Sequence, residues 1–158
     1  MRRRRTTLAV TAAIVATAIT SAACRDDAPR VARGVTSTMS TITITTDDEL
    51  AAGLQLLAET GASGSLADLT DFDWDVVHVF AEGATREEIE GAAGDPVIRD
   101  TRYYDAGNLL VFTASGEVVK AVSVVPDLLV VDQPTWSRRV RLEPVGDAVP
   151  ALLRLVEP

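Results

Sequence analysis

The stretch WDVVHVF (residues 74–80), with AEGATREEIEGAAGDP (81–96) after it, decides how this chain is read. Its run of valines between aromatics is strand-like, because β-branched and aromatic side chains pack well on a pleated surface. Period-two alternation puts Trp74, Val76, His78 and Phe80 on one face and Asp75, Val77 and Val79 on the other. The next segment changes period. Thr85-Arg86-Glu87-Glu88 matches a capping box, a hydroxyl followed three residues later by a carboxylate. It opens a short helix that packs through Ile89 and Ala92 or Ala93, and Gly94-Asp95-Pro96 stops it.

Downstream, Leu109–Thr113 and Val118–Val125 flank Ala114-Ser115-Gly116-Glu117, which predicts a hairpin. Pro126 and Pro134 limit regular structure beyond it, and Arg138–Leu142 and Ala151–Val156 add short strands. Upstream, TITIT (41–45) alternates like a strand. Thr46-Asp47-Asp48-Glu49 is a second capping box, and Leu50, Leu54 and Leu57 follow at helical spacing up to Gly61. The spacing predicts a helix over 47–60. The order of elements predicts an α+β domain over 41–158: a small antiparallel sheet with two helices packed on one face.

The first residues are of another kind. Met1 is followed by Arg2, Arg3, Arg4 and Arg5, and Thr6–Ala23 then runs without a charge. A positive start, a short apolar segment and a small-residue exit make a secretory signal peptide, here residues 1–23. A retained transmembrane anchor is the rival, since the uncharged run reaches the ~18 residues that a span needs. Its threonines and alanines weaken that rival. Arg25–Ser40 is small, polar and unpatterned, and residues 24–40 read as a flexible tether.

Ser21-Ala22-Ala23-Cys24 resembles the lipobox of bacterial lipoproteins. Ala22, Ala23 and Cys24 fit it, and Ser21 stands where that family usually has Leu, Val or Ile. The resemblance implies that the Cys24 thiol receives a diacylglyceryl group and that cleavage makes Cys24 the first residue of the mature chain. The localisation then implied is the extracytoplasmic face of the cell membrane. Two acyl chains anchor stably where one binds only marginally. Plain signal-peptidase cleavage at the same bond is the alternative; it yields a secreted protein with a free thiol. Residues 70–125, with FDWDVVHVFAEGATREEIEGAAG at their heart, also resemble a domain of uncharacterised bacterial lipoproteins, a resemblance that implies a domain and no activity.

Charge narrows the partners. Without the four starting arginines, 11 basic residues face all 23 acidic ones, a net charge near −12. Such a surface repels phosphate backbones, so no nucleic acid is expected. After Cys24 no cysteine remains for an internal disulfide, so the core alone must hold the fold.

Candidate chemistry is sparse. Asp71, Asp73, Asp75 and Glu82 stand at calcium-loop spacing, but Val76 occupies the position where the sharp turn needs glycine. The three Asp read as a solvated strand edge, with a weak cation site as the alternative. His78 is the only histidine and has no partner set for acid–base or nucleophilic work; it reads as a packed structural residue. Trp74, Trp136, Tyr103, Tyr104 and Arg102 are the candidates for an exposed binding patch, with Trp136 as its anchor and Trp74 more consistent with core. The expectation is a non-enzymatic, lipid-anchored module with no cofactor, no metal and no catalytic residue. It binds the membrane through Cys24 and takes an envelope protein as partner. The alternative is a small-ligand or cation-binding lipoprotein.

Overall fold

Strand-forming residues dominate the chain beyond the two capping boxes, and the fold follows from that. The computed structural model describes residues 42–158. The expected signal peptide (1–23), Cys24 and the expected tether (24–40) lie outside the described residues. The elements are β1 (Ile44–Thr46), α1 (Asp48–Thr60), β2 (Gly64–Ser65), a 3-10 turn (Leu66–Leu69), β3 (Val76–Phe80), α2 (Arg86–Ala93), β4 (Asn108–Ala114), β5 (Glu117–Val124), β6 (Leu129–Val130), β7 (Thr135–Ser137), β8 (Arg141–Pro144) and β9 (Leu153–Val156). This is an α+β fold with two helices and a larger share of strand than the sequence pattern suggests.

There are two sheets where one was expected, and both are mixed. The first has the order β1-β5-β4-β3-β7, with β1 parallel to β5 and the other pairs antiparallel. The second has the order β2-β8-β9-β6, with β6 parallel to β9. The β4–β5 hairpin turns at Ser115 (φ 53°) and Gly116 (φ 84°), the two positive φ values that a type I′ turn requires. Just before β4, Gly107 has φ 93°, and a Cβ there would sit 2.0 Å from the Val124 carbonyl oxygen. Only glycine fits.

The helices form where their caps and apolar spacing place them. α2 carries the capping box in full: the Glu88 N–H donates to Thr85 Oγ1 (3.2 Å) and the Thr85 N–H donates to Glu88 Oε2 (2.8 Å). Gly94 closes it in the left-handed conformation. The cap of α1 is Asp47, not Thr46, with Asp47 Oδ1 accepting from the Leu50 N–H at 3.0 Å. Thr46 is already committed to β1, where it pairs with Ser123.

The two helices cover opposite faces of the first sheet, which corrects the expectation that they share one. β4 shows why. Leu110 and Phe112 face a core that holds Leu50, Leu54 and Ala58 of α1 together with Leu142, Leu153 and Leu155 of the second sheet. Leu109 and Val111 face the other way, onto Ile89 and Ala93 of α2, Val97, Ile98 and Tyr103. A strand apolar on both sides must be covered on both. Trp74 is also re-assigned. It precedes β3 and packs with Val77 and Val79 rather than beside His78, because the alternation begins only at Val76.

A buried polar clamp ties the two sheets together. The fully buried Asn108 of β4 accepts the Leu129 N–H through Oδ1 (2.9 Å) and donates to the Leu129 carbonyl through Nδ2 (3.4 Å). A side-chain amide satisfies both backbone groups of β6 without a ladder partner on that side.

Candidate functional site

Burial sorts the aromatic candidates. Trp136 on β7 is paired with Val77 and is only 7% exposed, with its indole N–H donating to the Gln133 carbonyl at 3.1 Å. The expected exposed anchor is therefore core, because β7 adds to the central sheet and turns Trp136 into the space that the second sheet closes. Trp74 is buried as well. It meets Phe112 edge-on at 5.2 Å between centroids, and its N–H donates to Thr70 Oγ1. Tyr103 is buried on the opposite face, its hydroxyl 2.7 Å from Ser123 Oγ. The five candidates therefore do not form one patch. Of the four aromatics among them only Tyr104 stays in solvent, at 64% exposure, while Arg102 donates to the Gly83 carbonyl at 2.8 Å.

The aspartates part company too. Asp73 pairs with Arg138 at 3.2 Å, whose guanidinium also lies 5.7 Å from the Trp74 ring. Asp75 Oδ2 accepts the Ser115 N–H at 2.8 Å and so fastens the β4–β5 turn. Asp71 lines a separate acidic cleft of about 290 Å³ with Asp47, Glu49 and Asp68. Lys120 crosses to Asp47 at 2.6 Å and lies 4.5 Å over the Phe72 ring. Burial pushes the Asp47 carboxyl up, but hydrogen bonds from the Leu50 N–H and the Lys120 ammonium outweigh it and hold the group below the ordinary range. Among the described residues no three metal-ligating side chains converge as an ion would need.

His78 is 5% exposed, and its Nδ1 lies 3.0 Å from Thr135 Oγ1 of β7. Burial lowers its pKa and keeps the ring neutral at physiological pH. A neutral imidazole bonded to a threonine in the sheet is a packing residue.

A cleft of more varied chemistry lies beside β1. It has a volume of about 330 Å³ and lies between Ile42–Ile44 and the 97–105 segment. Its apolar part comes from Ile42, Ile44, Val97, Ile98 and Tyr103, and Tyr104 stands exposed among its polar lining. Backbone bonds fix the wall. The Tyr103 N–H donates to the Ala84 carbonyl, the Gly83 N–H to the Tyr103 carbonyl and the Arg86 N–H to the Thr101 carbonyl, each at 2.8–2.9 Å. Burial raises the Tyr103 pKa against the pull of the Ser123 bond, and the carboxylates of Asp105, Glu82 and Asp127 raise it further. The lining itself sets Arg99 and Arg102 beside Asp100 and Asp105. The far wall of the cleft adjoins β1, which among the described residues is an edge strand paired with β5 alone.

The sequence pattern missed this cleft. Val97 and Ile98 fall in a stretch that reads as a loop, and the signal was their apolar pair between Pro96 and Arg99, followed by Tyr103-Tyr104. No helix among the described residues is long and apolar enough to cross a membrane. No family model matches the chain, and no curated protein or solved structure matches it.

Proposed function

We propose that this chain is a bacterial lipoprotein, anchored through lipid on Cys24 at the extracytoplasmic face, whose domain is a non-enzymatic module that binds another envelope protein. The observation that carries the reading is the order Arg2–Arg5, uncharged Thr6–Ala23 and Ala22-Ala23-Cys24, followed by a polar stretch and then a folded domain. That order delivers a thiol to the membrane surface and leaves the domain outside it. The domain's chemistry supports the binding part. His78, Asp75 and Tyr103 are each engaged in a structural bond, and Asp73 pairs with Arg138 at the surface. The cleft beside β1 offers a concave surface of mixed apolar, aromatic and charged groups.

Fractionation of the native host tests the reading, with surface crosslinking of the wild-type chain beside a Cys24→Ser variant. The expected result is wild-type chain in the membrane fraction, released into detergent, with a discrete envelope-protein adduct. Wild-type chain in the medium, or membrane-bound chain that forms no adduct, overturns it.

A further inference from the structure

We infer that the cleft beside β1 receives an extended, basic-flanked segment of a partner protein, which adds as a strand to the open edge of the first sheet; this rests on the binding-module reading above. Three observations converge. First, β1 is an edge. It pairs with β5 only over Ile44–Thr46, and no described strand lies on its other side. An unpaired strand edge presents N–H and C=O groups that another extended chain can satisfy. Second, the cleft runs against that same stretch. Ile42, Thr43 and Ile44 form one wall, and Val97, Ile98 and Tyr103 supply apolar surface for a side chain of an added strand. Tyr104 stands exposed in the lining, where an aromatic contributes most to a protein contact. Third, the charges select the sign of the partner. Asp100 and Asp105 line the cleft without ion pairs among the described residues, and Glu82 and Asp127 act on Tyr103 from nearby. Of the two lining arginines, Arg102 is tied to the Gly83 carbonyl and faces Glu88, while Arg99 is exposed, so the sign is set by the field of the whole domain rather than by the lining alone. Residues 42–158 carry 21 carboxylates against eight basic side chains, so the long-range field draws a basic partner.

The test places a photocrosslinking side chain at position 104 or, separately, at position 56, in the full chain in its native host. Leu56 is exposed on α1, which covers the opposite face of the sheet. The expected result is a heterologous adduct from position 104, none from position 56, and an adduct yield about tenfold lower after Asp100→Lys with Asp105→Lys. An adduct from position 56 alone would overturn the cleft while leaving the binding-module reading intact. No adduct from either position would overturn both. An adduct of twice the chain mass, or a crosslink to the chain's own residues 25–41, would assign the edge to a second copy or to the tether and overturn the partner. A parallel arm adds the peptide Lys-Val-Thr-Val-Thr-Val-Lys to the membrane-reconstituted chain. Amide exchange at Ile44–Thr46 should slow about tenfold, and the Glu-flanked analogue should leave it unchanged. Unchanged exchange with both, or equal slowing by both, contradicts the proposal.

Discussion

At the scale of single residues, the aromatic side chains divide by what lies behind them. Trp136→Ala should cost about 3–5 kcal/mol in denaturant unfolding, the range for an aromatic removed from a packed core. Tyr104→Ala should stay within about 0.5 kcal/mol, because its ring is in solvent. Equal costs would mean that the burial pattern is wrong. Asn108→Ala should cost about 1–3 kcal/mol, since it strands the buried backbone groups of Leu129. His78 gives a pH signature. Its folded pKa lies below the ordinary 6.5, so the unfolded chain takes up the proton first. Its contribution is intact above that value and is lost as pH falls from there through the lowered folded value. A His78→Gln variant should flatten that part of the stability–pH curve. These identities were hard to read from sequence for one reason. Trp136, flanked by Pro134 and Arg138-Arg139, carries the composition of a surface loop, and only the long-range pairing of β7 with β3 buries it.

At the scale of elements, local signals transferred well. The Thr85–Glu88 box, Gly94 and the Ser115-Gly116 turn each encode their geometry within a few residues, and each stands where its pattern predicts. Thr85→Ala should cost about 1 kcal/mol by thermal unfolding, and Thr85→Ser should recover most of it. Asp47→Ala should cost about 1–2 kcal/mol as a lost cap, and more where the freed Lys120 finds no other partner. Because the Asp47 carboxyl is held below its ordinary 3.8, its contribution is present above that value and fades as pH drops through the lowered one. The sidedness of the helices was not local. Both faces of β4 are apolar, so period-two alternation carried no information about which helix takes which face. The second sheet was half hidden: Arg138–Leu142 and Ala151–Val156 anticipate β8 and β9, whereas β2 and β6 are two residues long and gain their identity only from those partners.

At the scale of the whole molecule, the anchor proposed for residues 1–24 carries an acidic domain with a mixed-chemistry cleft, which adjoins a sheet edge that is open among the described residues. The proposed anchor rests on contiguous residues of the sequence alone; the cleft was not legible there, because its walls lie more than fifty residues apart. Association through that cleft should weaken with added salt, as steering between opposite charges does. The most direct measurement is the intact mass of the mature protein from its native host, beside Cys24→Ser. The account predicts a wild-type chain that begins at Cys24 and carries a diacylglyceryl group, which the variant lacks. A chain that begins at Cys24 with a free thiol, or one that still begins at Met1, would contradict the lipid anchor on which the rest depends.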